Sequence, residues 1–185
     1  SPYGWHDTNG AAGAESTLTR GNNVNAYTDK DGNDAVNPTT GIDANYADGT
    51  ASLNFDFPLD FNQRLDTLTN SKAVQVQLFY MCNIMHDLFS KYGFGETNRN
   101  FQRVNYAGNT ATDNDPVNAE AHDGTTDPET GAVLKNNANF FTSPDGTNSN
   151  QLRTRMQMFM WDGAGPVTLT YNAPASIAGE IDSFG

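Results

Sequence analysis

The sequence predicts an α+β fold: a β-rich layer with long loops packed on one long central α-helix over about residues 71–92. Two patterns carry that expectation. Apolar residues between Ser71 and Tyr92 recur at helical spacing, and after Asn98 the pattern changes to short alternating runs separated by turn formers. Size adds a bound, because 185 residues is ordinary for one domain, and 17 Gly with 8 Pro supply many turns.

Residues 1–50 are dominated by turn formers such as Asn9-Gly10, Gly21-Asn22-Asn23, Asp31-Gly32-Asn33 and Asp48-Gly49. Val24, Ala26 and Tyr27 alternate with polar residues and are the best candidate there for a short strand. This loop-rich arm is too poor in apolar residues to bury much alone, so it is expected to lie over a core supplied by later segments. Between Leu53 and Phe61 the rings Phe55, Phe57 and Phe61 surround Pro58. That reads as a short strand or an extended arm whose rings plug into the body, with Pro58 keeping it out of a sheet centre.

In the helical segment, Val74, Leu78, Met81, Met85, Leu88 and Tyr92 follow at steps of four, three, four, three and four. A second stripe, Val76, Tyr80 and Ile84, flanks the first. Asn70 or Ser71 is the expected N-cap, and Gly93 the stop. At about 1.5 Å per residue the helix is roughly 33 Å long, about a domain diameter. So long and so apolar a helix is expected to support the fold from inside.

The strands are expected within 115–171. Val117–His122 alternates, Asn137–Phe141 is short and aromatic, Arg155–Trp161 is longer, and Val167–Tyr171 comes last. Residues 173–185 read as a linker or exit segment, leaving 1–172 as a single unit. The opening Ser1-Pro2-Tyr3-Gly4-Trp5 has neither a basic start nor an apolar run, which predicts a mature or excised form.

Ten Lys and Arg against 22 Asp and Glu give a net charge of −12, which repels nucleic acid and anionic membranes; neither is expected as a partner. No run approaches the roughly 18 apolar residues needed to span a bilayer. The single Cys82 rules out an internal disulfide. An acidic, Asn/Asp/Gly-rich and Lys-poor composition points to a secreted, extracellular protein.

Histidines are limited to His6, His86 and His122, and no His-Glu-x-x-His is present. Cys82 and His86 lie four apart beside the apolar stripe and read as buried neighbours rather than metal ligands. His86 and Asp87, adjacent on a helix, are expected to point in different directions. Serine-nucleophile and phosphate-loop signatures are absent. The best calcium candidate is the turn carrying Asp29, Asp31, Asn33 and Asp34, where hard oxygens surround a glycine. Its spacing departs from an EF-hand, and a solvated acidic turn is the competing reading. Asp113-Asn114-Asp115 is a weaker candidate of the same kind.

Several segments together resemble the fungalysin family of secreted zinc metallopeptidases, within the thermolysin-like group. They are Gly4–Gly10, Phe79–Phe89 on the helix, Val117–Gly124, Asn136–Phe140, Ser143–Gly146 and Arg155–Trp161, and the likeness runs from residue 2 to about 171. The resemblance implies the N-terminal subdomain of such a peptidase, with an edge strand that pairs with an extended peptide or protein substrate. A free strand edge offers alternating N–H and C=O groups to any peptide backbone. By the resemblance, the Asn137 amide contacts the substrate backbone, Ala138 and Asn139 supply main-chain partners, and Phe140 braces the strand.

The family's zinc helix and catalytic Glu do not occur in this sequence. The resemblance therefore implies that no residue here is catalytic or zinc-binding. Zinc would belong to the full-length enzyme, held by a C-terminal zinc-binding subdomain of the same precursor, and this chain alone would be inactive. Calcium remains a possible structural ion. The alternative reading is a non-catalytic, calcium-stabilised extracellular binding or structural domain.

Overall fold

The computed structural model describes residues 2–34, 46–107, 114–125, 135–142 and 154–161. One helix, α1 (Leu68–Lys91), packs on a mixed sheet of β1 (Val24–Thr28), β2 (Val117–Ala121), β3 (Ala138–Phe141) and β4 (Arg155–Met158). The α+β class expected from the sequence is the one observed. The strand expected at Val167–Tyr171, the Ser143–Gly146 segment and the 173–185 exit segment lie outside the described residues.

The strands are ordered β1-β2-β4-β3, with β1, β2 and β4 mutually parallel and β3 antiparallel to β4. Parallel neighbours need a crossover connection, and α1 lies in the one between β1 and β2. The helix packs over those same two strands. Burial falls across the sheet accordingly: β1 is wholly buried, β2 nearly so, β4 half-buried and β3 exposed. The core is formed by Val24, Ala26, Ala119 and Phe79, with Trp5, Leu78, Cys82 and Met156 packed against it. The N-terminal arm thus donates an interior strand instead of lying over a core made elsewhere. Alternation underestimated β1, because a parallel strand covered on both faces need not alternate.

Thr67 caps α1, its hydroxyl accepting from the Asn70 amide at 3.4 Å. The start is therefore earlier than the expected Asn70 or Ser71. Asn70 instead ties down the incoming loop, accepting from Asp60 N and donating to Asp60 O, both at 2.8 Å.

The larger correction concerns which face of α1 is buried. The buried residues are Asn70, Ser71, Gln75, Phe79 and Asn83, whereas Tyr80, Met81, Ile84, Met85, Leu88 and Tyr92 are exposed. Hydrogen bonding sets this rotation. Asn83 Oδ1 accepts from Asn23 Nδ2 at 3.1 Å just before β1, and Gln75 Nε2 donates to Thr28 Oγ1 at 3.4 Å at its end. Phe79 fills the space between these two clamps. Turning the apolar stripe inward would break both clamps and leave the buried Asn23 amide without its acceptor.

No strand forms between Leu53 and Phe61. Phe55 stacks on His6 with centroids 5.5 Å apart, and Lys72 Nζ lies 5.4 Å from the Phe57 ring, while Phe61 is exposed. At the N-terminus, Trp5 packs edge-on to Phe79 and Tyr80 at 6.3 and 5.7 Å. Its carbonyl accepts from Asn22 N at 2.9 Å, and a Cβ on Gly21 would lie 2.0 Å from that oxygen, so only glycine fits there. Burial opposes ionisation of Asp7, but bonds from Gly10 N, Asn9 N, Tyr3 N and the Tyr106 hydroxyl outweigh it and hold the carboxyl below its usual range.

The inward polar face makes a testable contrast. Asn83→Ala should destabilise the chain by about 1–3 kcal/mol, because it leaves Asn23 Nδ2 buried without its acceptor. Met85→Ala on the same helix should cost under about 1 kcal/mol. Urea unfolding of both variants measures the difference, and reversal of the order would contradict the packing.

Candidate functional site

Two places bring together the residues singled out in the sequence. The first is the β3 side of the sheet. β3 pairs with β4 in the register Ala138↔Met158, Asn139↔Gln157, Phe140↔Met156 and Phe141↔Arg155. Among the described residues nothing pairs with its other edge. The opposite edge of the sheet differs: outside β1, Ala26 N donates to Thr19 O at 2.8 Å and Thr19 N to Ala47 O at 2.9 Å. Among the described residues one edge is closed by the N-terminal arm and the other is open.

Asn136 adopts φ 58° and donates its N–H to Met160 O at 2.7 Å, while Phe159 N donates to Asn137 O at 3.2 Å. Asn137 thus stands at the entrance to β3 and is exposed. Phe140, 49% exposed, leans on Phe101 at 5.8 Å, and Phe141 lies under the Arg155 guanidinium at 5.8 Å. The strand is held through its side chains as well as by its ladder.

The second place is an acidic cluster below the C-terminal ends of β1 and β2. Oxygens of Asp29, Asp34 and Glu120 lie within 4.8 Å of one another. Gly32 at φ 62° and Asp34 at φ 58° turn the loop back on itself, and Asp34 N donates to Asp29 Oδ2 at 2.8 Å. Glu120 reaches the site from β2 because it pairs with Tyr27 in the ladder, and the Tyr27 hydroxyl donates to its Oε1 at 2.7 Å. From β4, Arg155 reaches Asp34 Oδ2 at 2.6 Å and Gln157 Nε2 donates to Asp34 Oδ1 at 2.9 Å.

Of the four oxygen donors expected in this turn, Asp29 and Asp34 meet. Asp31 is not one of the three, although its carboxyl is hydrogen-bonded to that of Asp29, and Asn33 N donates to Asp29 Oδ1 at 3.2 Å while its Nδ2 donates to Asp31 Oδ2 at 2.8 Å. Spacing along the chain does not bring Glu120, Asp123, Arg155 and Gln157 to this turn, because they arrive from β2, the turn after it and β4. A carboxylate in the middle of a short apolar run was the one available signal for Glu120.

Crowding shows in the acidities. Burial first, and then the neighbouring carboxyls of Asp31 and Glu120, raise Asp29. Burial pushes Glu120 to about 7 against the help of Tyr27, with Asp123 and Asp34 adding to the rise. Asp123 goes to about 6, chiefly by burial and then by the charge of Asp34.

The segments at the other end of α1 are linked to one another. His86 Nδ1 lies 3.2 Å from Asp87 Oδ1, contrary to the expectation that these neighbours diverge. Each side chain is also held by a partner of its own. Trp5 Nε1 donates to Asp87 Oδ2 at 2.9 Å, and Asn100 Nδ2 donates to His86 Nε2 at 3.1 Å, which leaves Nδ1 as the donor to Asp87. The network ties the N-terminal Gly-Trp-His-Asp segment to the His-Asp of the helix.

Comparison with known proteins bears on all of this. The fungalysin metallopeptidase (M36) family model matches residues 1–171. The chain belongs to the fungalysin metallopeptidase family. It is 34% identical over 168 residues to extracellular metalloproteinase 2 of Trichophyton tonsurans, covering 90% of this chain and 22% of that protein. It is 37% identical over 151 residues to extracellular metalloproteinase 1 of Phaeosphaeria nodorum, covering 80% and 20%. The protein of that name in Arthroderma otae is 38% identical over 151 residues, covering 81% and 20%. The chain therefore spans about a fifth of the length of these relatives. All three carry names that place them outside the cell, the location expected from this chain's composition.

A metallopeptidase family implies a metal, typically zinc, and the histidines and the cysteine among the described residues do not form a zinc site. His6 is stacked on Phe55 and bonded to Leu18 O, His86 is held by Asp87 and Asn100, and His122 sits against Met160 Sδ at 3.0 Å. Among the described residues, no group of three potential ligands includes a histidine or the cysteine. Burial pushes the Cys82 thiol up to about 11. Cys82 should therefore react with a disulfide reagent at pH 8 at least about tenfold more slowly in the folded chain than in denaturant. Equal rates would contradict its placement against the core.

Proposed function

We propose that this chain is the N-terminal subdomain of a secreted, zinc-dependent metalloendopeptidase, and that β3 is the rail along which the substrate peptide is held. The observation that carries this reading is the contrast between the two sheet edges. β1 is capped by its own N-terminal segment, while β3 is exposed and unpaired on its outer side among the described residues.

An extended peptide added to β3 continues the ladder. The bond from Phe159 N to Asn137 O sets the alternation, so Ala138 and Phe140 direct main-chain groups outward, whereas the main chain of Asn139, expected from the resemblance to serve the substrate, faces Gln157 and anchors the strand. Asn137, exposed where β3 begins, offers its side-chain amide to the backbone next to the scissile bond. Ala138 is small enough to leave the approach clear, and Phe140, resting on Phe101, braces the strand. Binding through the main chain fixes peptide direction with little demand on its side chains.

The exposed apolar face of α1 supports the same reading from the other side. Met81, Ile84, Met85 and Leu88 form a surface suited to burial against another body, which we assign to the zinc-binding subdomain of the same precursor. Hydrolysis belongs to that whole enzyme, and the 185-residue chain alone should hydrolyse no peptide.

The reading is tested in the whole peptidase. Asn137→Ala should lower kcat/KM for peptide substrates about tenfold or more, the loss of one hydrogen bond to a desolvated partner. Folding, followed by the thermal midpoint, should be unaffected because Asn137 is exposed. Unchanged kcat/KM in this variant would contradict the role of β3.

A further inference from the structure

We propose that Asp29, Asp34 and Glu120 form a binding site for a hard divalent cation, calcium by its ligand chemistry, that pins the loop after β1 to the interior of the sheet. An acidic cluster alone would not support this. The deciding observation is Glu120 Oε2, which is buried, lacks a hydrogen-bond partner among the described residues and belongs to a residue only 1% exposed. Its sister oxygen is already committed to Tyr27 at 2.7 Å. A buried carboxylate oxygen without a donor is costly, and a cation at the centre of the trio satisfies it.

Charge and geometry agree. The trio carries three negative charges when ionised, and Arg155 answers one of them from the Asp34 side. Asp123, also buried, adds a further carboxyl beside the loop, and a Cβ on Gly32 would lie 3.6 Å from its Oδ1. A divalent ion supplies the missing positive charge. The set holds only oxygen donors, with neither sulfur nor imidazole, which suits calcium at six to eight oxygens and disfavours zinc. Each of the three carboxylates brings one oxygen to the centre, and water can complete the shell. Arg155 and Gln157 occupy Asp34 without exhausting it, because an ionised carboxylate has about four acceptor positions.

The ligands join three parts of the fold. Asp29 and Asp34 bracket the loop, Glu120 lies on β2, and Arg155 ties Asp34 to β4. A bound ion would hold the loop on the sheet across β2 and β4. The inference is independent of the peptidase reading, since a chain with no role in proteolysis would bind the ion equally well.

The test uses the 185-residue chain, freed of metal by chelation and dialysed. Calcium chloride up to 10 mM at pH 7.5 should raise the thermal midpoint by about 5 °C or more, while magnesium at the same concentration shifts it far less. Terbium, a calcium surrogate, should give luminescence excited through tyrosine, since Tyr27 touches Glu120 and Tyr46 lies 5.7 Å from Tyr27; calcium should quench it by competition. Glu120→Gln should weaken terbium and calcium binding at least tenfold. Asp34→Asn serves the same purpose if the first variant fails to fold, and Asp87→Asn, remote from the trio, should bind normally. Absence of a calcium shift in the wild-type chain would overturn the proposal. An equal shift in wild type and folded Glu120→Gln or Asp34→Asn would also overturn it, because it would reflect general charge screening.

Discussion

The structure depends on how α1 is rotated against β1. Two side-chain amides set that angle: Asn83 holds Asn23 at one end of the strand and Gln75 holds Thr28 at the other, with Phe79 between them. Polar clamps fix position more sharply than apolar contact does, because a buried amide that slips loses its partner outright. Ala26 and Ala119, both fully buried, keep the sheet surface low enough for the helix to approach this closely. Everything else follows from the resulting geometry. The helix covers β1 and β2, β4 is half covered, and β3 projects beyond it.

That arrangement leaves the molecule with two unlike sides. The β1 side is closed by the N-terminal arm, which also carries Trp5 onto Phe79 and Tyr80 and from there to Asp87. Among the described residues the β3 side is open, and Met81, Ile84, Met85 and Leu88 on the helix are exposed as well. Family membership makes sense of the asymmetry, since the chain corresponds to about a fifth of relatives that are whole extracellular metalloproteinases. Arg155 connects the two candidate sites physically: it pairs with Asp34 in the acidic cluster and stacks over Phe141 at the end of β3.

How much of this was legible in the sequence depended on whether the signal was local. The helix, β2, β3 and β4 all fell where periodicity placed them, within a few residues. The buried face of α1 did not, because periodicity reports an apolar stripe and not what covers it. The stripe of Met81, Met85 and Leu88 is real but faces away from the sheet, while Asn83 and Gln75 gave no sign of being interior until Asn23 and Thr28 were placed beside them. The acidic site was half legible for the same reason. Asp29 and Asp34 stand in one turn, but Glu120 lies far along the chain and arrives through the parallel pairing of β1 with β2. No spacing rule contains that contact.

The central claim, that β3 is an open rail which substrate closes, is tested most directly by amide hydrogen exchange on the whole peptidase, with and without a bound uncleaved peptide. The account predicts that the Ala138 and Phe140 amides exchange readily in the free enzyme and become strongly protected in the complex, while β1 is protected in both. Ala138 and Phe140 amides that are already protected without peptide, or unchanged by it, would contradict the account.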